Sequence, residues 1–242
     1  FAHNPEPLPE NLTEISSKIS GGSFDLGIVV DPDVDRLALM CEDGTPFGEE
    51  YTLVAVADYV LGKAGGGNTV SNLSSTRALR VVTEKHGGTY TASAVGEVNV
   101  VTAMKETDAI IGGEGNGGII YPELHYGRDA LVGIALFLSH LAAFEGSAKR
   151  LRSTYPDYHI AKKKVELTPE LDVDKVLEGM QEKYQKHPIN TVDGVKIEFD
   201  NEWVHLRKSN TEPIIRIYAE SQTQSTAQHL ANKIISDIGE VI

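Results

Sequence analysis

Three carboxylates stand at alternate positions in Asp31-Pro32-Asp33-Val34-Asp35-Arg36, with an arginine directly after the third. Gathered to about 4 Å, each pair would repel by roughly 4 kcal/mol at an effective dielectric near 20, so a folded loop that holds them together needs a cation. Oxygen-only ligands on a tight loop suit a hard ion, magnesium first, with phosphate oxygens and water filling the remaining octahedral positions. Splayed into water, the same residues are a solvated acidic turn. A calcium EF-hand is set aside: Glu42 falls at the twelfth position from Asp31, but Arg36 holds the sixth, where that loop needs glycine, and the flanks read as strands rather than helices. A phosphatase using Asp31 as nucleophile explains an acid after a strand, yet not the third acid followed by arginine.

Two further stretches carry polar groups that could grip a ligand. Gly112-Gly113-Glu114-Gly115-Asn116-Gly117-Gly118 offers a carboxylate and an amide, Glu114 and Asn116, which suit sugar hydroxyls, though a glycine-rich turn after a strand is commonly only a turn. It lacks the lysine and hydroxyl of a P-loop and the spacing of a dinucleotide fingerprint. Arg207-Lys208-Ser209-Asn210-Thr211-Glu212-Pro213, with Arg216 beyond it, assembles the guanidinium, hydroxyl and amide donors a phosphate dianion requires, or else forms a surface turn. Asp129 reads as a helix cap and His125 as an ordinary structural or surface histidine.

The elements that must position these residues follow from apolar periodicity. Leu26 to Val30 and Leu37 to Cys41 have the length of buried strands on either side of the acidic loop, and Pro5, Pro7 and Pro9 keep the preceding segment extended. Glu49 to Leu61 has helical spacing, and from Thr69 to Phe144 strand-like and helix-like pieces alternate, which predicts α/β architecture: a doubly wound, parallel or mixed sheet. After a break near Tyr155-Pro156-Asp157 come a strand near Ala161 to Leu167, a helix from Asp172 to Gln185, strands at Val195 to Phe199, Trp203 to Leu206 and Ile214 to Ala219, and a helix with Ala227, Leu230, Ala231, Ile234, Ile235 and Ile238 on one face. This predicts a smaller α+β domain with an antiparallel sheet.

The 242 residues are enough for two main domains. A formal charge of −13, from 35 acidic against 22 basic side chains, argues against a nucleic-acid partner. No apolar run reaches the roughly 20 residues of a membrane span and no charged leader is apparent near Phe1, so the expectation is a cytoplasmic protein without a membrane partner. Cys41, the single cysteine, excludes an internal disulfide and reads as buried filler.

Asp-Pro-Asp-Val-Asp-Arg-Leu resembles the metal loop of the α-D-phosphohexomutases, usually D-G-D-G-D-R. The glycine-rich stretch resembles their G-E-x-S-G sugar loop, with Asn116 where serine is common and Gly118 where many members have histidine. Arg207 to Arg216 resembles their C-terminal phosphate loop almost residue for residue, and Arg128-Asp129 also fits the pattern. The resemblance implies Asp31, Asp33 and Asp35 as magnesium ligands and Arg36 as the contact to the transferring phosphoryl group. It implies Glu114 and Asn116 on the sugar, and Arg207, Ser209, Asn210, Thr211 and Arg216 on the non-reacting phosphate. Residues 1–48 would close the family's second domain, 49–156 form its third and 157–242 its fourth. The implied reaction interconverts hexose 1-phosphate and hexose 6-phosphate through a phosphoserine enzyme and a hexose 1,6-bisphosphate. Glucosamine phosphate is the first expected substrate and mannose or glucose phosphate the alternative; a non-catalytic phosphosugar-binding module is the rival reading. The family's serine loop belongs to N-terminal domains expected as the partner of this portion, so the chain alone is expected to be inactive.

Overall fold

Pro5 and Pro7 keep residues 4–8 out of regular structure, and Pro9 opens a single 3-10 turn, Pro9–Asn11. The computed structural model describes residues 4–166, 172–209 and 214–241. Two compact units divide the chain, Phe1–Pro156 and Asp157–Ile242.

In the first unit, helix α1 (Thr13–Ser20) precedes an antiparallel pair, β1 (Leu26–Val30) and β2 (Leu37–Cys41), which brackets the acidic loop with Val30 opposite Leu37. β2 is buried throughout, as expected, and Cys41 is buried with it; burial pushes its thiol up to about 11. β1 departs from expectation. Ile28 and Val30 are exposed, because α1, which proline-rich surroundings hid in the sequence, covers only the Gly27 and Val29 face through Ile15 and Ile19. Next come α2 (Glu49–Ala64), β3 (Asn68–Asn72), α3 (Ala78–Lys85), β4 (Tyr90–Ser93), α4 (Glu97–Glu106), β5 (Ala109–Glu114), β6 (Gly118–Ile120), α5 (Ala130–Phe144) and α6 (Ala148–Arg152).

The strands form a mixed sheet in the order β4-β3-β5-β6, with β3 parallel to β4 and β5, and β6 antiparallel to β5. Both faces are covered, since Ile119 meets Gly133 of α5 while Ile120 joins Val70, Val100 and Met104 in the core under α4. That is why adjacent residues of β6 are both apolar and both buried. The expected glycine-rich loop is shorter than the sequence suggested: Gly112 to Glu114 continue β5 and Gly118 opens β6, leaving a turn of Gly115, Asn116 and Gly117. α5 is apolar nearly all round, yet Leu131 and Leu138 are exposed.

The second unit holds β7 (His159–Glu166), α7 (Val173–Lys183), β8 (Ile189–Asn190), β9 (Val195–Glu198), β10 (Trp203–Lys208), β11 (Ile214–Ser221) and α8 (Gln224–Val241). Its sheet is antiparallel throughout, in the order β7-β11-β10-β9-β8. One face packs on α7 and α8 through Val204, Leu206, Ile215, Ile217, Leu230 and Ile234. The alternation of β10 therefore sends Trp203, His205 and Arg207 to the other face.

Candidate active site

The acidic loop is held by its own backbone. Oδ1 of Asp31 accepts the amides of Asp35 (3.1 Å) and Arg36 (3.0 Å), while the amide of Val34 donates to the Asp31 carbonyl at 3.1 Å. Val34 adopts φ +60°, a left-handed conformation that costs a β-branched residue of order 1 kcal/mol or more. Its carbonyl accepts the amide of Ala130 at 3.0 Å, which ties the loop to the start of α5. So folded, Asp31, Asp33 and Asp35 each present a carboxylate oxygen within 4.8 Å of the other two.

Burial alone would raise the Asp31 carboxyl, but the Arg36 amide, the Asp35 side chain and the Asp35 amide outweigh it, and Asp31 lies below the usual carboxylate range. Burial and the hydrogen bond shared with Asp31 push Asp35 up, against the pull of Arg128. Oδ1 of Asp35 is buried without a hydrogen-bond partner. Three converging carboxylates and an orphaned buried oxygen are a donor set that fits a hard divalent ion. Arg36 borders it, with Nε 3.7 Å from Asp31 and 3.8 Å from Asp35, and Nη1 2.9 Å from Glu6.

The residues of the glycine-rich turn lie beside this cluster. The amide of Leu37 donates to the Gly117 carbonyl at 3.0 Å, and a Cβ on Gly117 would fall 2.2 Å from the Leu37 carbonyl oxygen, so only glycine lets the turn approach the end of the acidic loop. Glu114, the last residue of β5, is buried rather than projecting. Its Oε1 accepts Asn72 Nδ2 (2.9 Å) and the Gly96 amide (3.2 Å), and its Oε2 accepts Arg128 Nη1 (3.1 Å). Asn116 turns back on its own loop, Oδ1 accepting the Gly118 amide at 3.1 Å. Arg128 joins the two loops, since its Nη2 donates to Oδ2 of Asp35 while Nη1 holds Glu114.

The site thus combines an acidic loop, a buried glutamate at the end of β5 and an arginine between them. The description "Phosphoglucomutase/phosphomannomutase, alpha/beta/alpha domain III" matches residues 48–158, and the C-terminal domain of the same family matches residues 162–236. The chain belongs to the phosphoglucomutase/phosphomannomutase family. Among curated relatives of this chain, the "Probable phosphoglucosamine mutase" of Methanopyrus kandleri is 33% identical over 96% of the chain and 51% of its own length. The "Phosphoglucomutase/phosphomannomutase" of Thermococcus kodakarensis is 35% identical over 94% and 50%. A crystal structure of a family protein from Burkholderia thailandensis, 22% identical, superimposes with a TM-score of 0.84 over 99% of this chain and 52% of that one. The chain therefore spans about half the length of the curated relatives it matches.

In the second unit, Arg207 on β10 stands directly opposite Arg216 on β11, and Arg216 opposite Lys164 on β7. Like charges in cross-strand register repel, so a row of three cations on one sheet face is a place for an anion. The Ser209 amide closes the hairpin on the Ile214 carbonyl at 3.1 Å, and Ser209 is buried; Asn210 and Thr211 lie outside the described residues. Asn72, Glu97 and Arg128 carried no role in the sequence reading. Asn72 ends a parallel strand and Glu97 begins a helix, the positions where α/β sheets place ligand groups, and that rule was the available signal. A cleft of about 620 Å³ lined by Tyr59, Lys63, Tyr121 and Tyr126 borders the start of β5 instead, and no predicted site residue lines it.

Proposed function

We propose that this chain supplies the metal, sugar and phosphate loops of a phosphohexomutase that interconverts hexose 1-phosphate and hexose 6-phosphate, with glucosamine phosphate preferred and mannose or glucose phosphate as alternatives. The observation that carries this reading is the convergence of Asp31, Asp33 and Asp35 within 4.8 Å, linked through Arg128 to Glu114. The three aspartates would hold magnesium, whose charge offsets that of a phosphoryl group in transfer. Arg36, at the rim of the loop, adds a second positive charge there. Glu114 can still accept a sugar hydroxyl, since each carboxylate oxygen has two lone pairs and Asn72, Gly96 and Arg128 fix its orientation. Arg207 and Arg216 hold the phosphate that does not react. The phosphoserine that the cycle requires is assigned to no residue of this chain.

The test is a mutase assay of the full-length protein on the 1-phosphates of glucosamine, mannose and glucose, alongside this chain alone. Magnesium-dependent turnover by the former and none by the latter is expected. Release of inorganic phosphate, or an aspartyl-phosphate trapped on Asp31, would replace this reading with a phosphatase.

A further inference from the structure

We infer that Arg128 sets which divalent ion the acidic loop accepts, by occupying Oδ2 of Asp35 and leaving that carboxylate only one oxygen for a metal. The inference rests on the metal-loop reading above. Nη2 of Arg128 is bonded to Oδ2 of Asp35, whereas Oδ1 is buried and has no hydrogen-bond partner. The guanidinium cannot easily slide off. Nη1 is 3.1 Å from Glu114, Nε is 3.3 Å from Glu97, and the backbone amide of Arg128 donates to the same Glu97 carboxylate at 2.9 Å. Its stem fills the space a side chain at 118 would need, because a Cβ on Gly118 would lie 2.6 Å from Arg128 Cδ. Two carboxylates outside the aspartate trio and a glycine floor therefore hold the arginine in place.

Calcium commonly takes roughly 6–8 oxygens and accepts both oxygens of a carboxylate, whereas magnesium demands a near-ideal octahedron at about 2.0–2.1 Å and takes carboxylates one oxygen at a time. A site in which Asp35 can offer only Oδ1 favours the smaller ion. Removing the arginine would free Oδ2 and let Asp35 chelate, which helps calcium more than magnesium. Loss of a nearby positive charge strengthens both ions alike, so it cancels in the ratio of their affinities.

Arg128 is thus a positioning residue, and the readout is selectivity rather than turnover. Magnesium and calcium would each be titrated calorimetrically into this chain and into Arg128→Met, which keeps the stem without the charge. The ratio of magnesium to calcium association constants should fall about tenfold in Arg128→Met and return to within about threefold of the original in Arg128→Lys. A ratio unchanged within twofold, or equal weakening of both ions, would mean the arginine is only a strut and would overturn the inference. If circular dichroism shows Arg128→Met unfolded, the same ratio is read on Gly118→Ala, which pushes the stem away and should move it in the same direction; an unmoved ratio there is equally fatal. Should neither ion bind the unaltered chain, the metal-loop reading itself fails.

Discussion

At the residue scale, the acidic loop separates two jobs that one side chain performs. Asp31 shapes the loop through Oδ1, which accepts two backbone amides, and under the proposed function it would also offer its charge to an ion. Asp31→Asn keeps an oxygen able to accept those amides but loses the charge. Calorimetric magnesium affinity should drop at least tenfold while the thermal midpoint moves by only a few degrees. A fall of the midpoint without any change in ion binding would show that the carboxylate matters only to the loop. Spacing alone singled out Asp31, Asp33 and Asp35 but left a metal loop and a solvated acidic turn both open. The family resemblance is what implied them as ligands and gave Arg36 a role, and folding adds that the three carboxylates converge. Arg128 fitted the family pattern but carried no role, since an arginine before a helix cap has no periodic signal and its meaning appears only when folding brings Asp35 and Glu114, far apart in sequence, onto one guanidinium.

Among the elements, α5 shows how a cap anchors a site. Asp129 accepts the amides of Leu131 (2.8 Å) and Val132 (3.1 Å), and its other oxygen lies 3.0 Å from His125 Nε2. The helix start it fixes is the one whose first amide holds the Val34 carbonyl. Asp129→Ala should cost about 1 kcal/mol of unfolding free energy in denaturant melts, and Asp129→Asn much less. Equal losses in the two would point to the histidine pair instead of the cap. Element types were read well where apolar spacing was long, as in α2 and α8. Boundaries failed at β5, where glycines that read as a loop continue a strand because neighbouring groups press close on them: a Cβ at Gly112 would fall 2.6 Å from the Met104 sulfur of α4 and one at Gly113 would fall 2.0 Å from the Gly118 carbonyl oxygen. α1 was missed because a short helix beside prolines has too few residues to show a period.

For the molecule as a whole, one natural probe allows the second unit to be followed by itself. Trp203, the single tryptophan, is fully buried in the second unit and donates to Glu220 at 2.6 Å. His205, two residues on along the same strand face, is buried, with Nε2 2.6 Å from the Asp193 carbonyl. Burial, helped by the Lys196 charge and opposed by the Asp193 carbonyl, pulls its pKa down to about 4. The unfolded chain takes up that proton near pH 6.5 and the folded unit only near 4, so stability is complete above about 6.5 and declines as pH falls through this window, by about 3 kcal/mol in all. Urea melts followed by Trp203 fluorescence should shift to lower midpoints between pH 6.5 and 4, and His205→Gln should flatten the shift. An identical pH slope in that variant would assign the effect elsewhere. Among the described residues no helix is long and apolar enough to cross a membrane.

The absence of a side chain at 118 also limits how this protein can trade parts with its relatives. Many family members place histidine there, yet here that volume already belongs to Arg128. Gly118→His alone should lower the melting temperature, and pairing it with Arg128→Ala should recover most of the loss. That recovery would make the two positions epistatic, and a glycine-rich turn grafted from a histidine-bearing relative would then have to bring its own residue at 128.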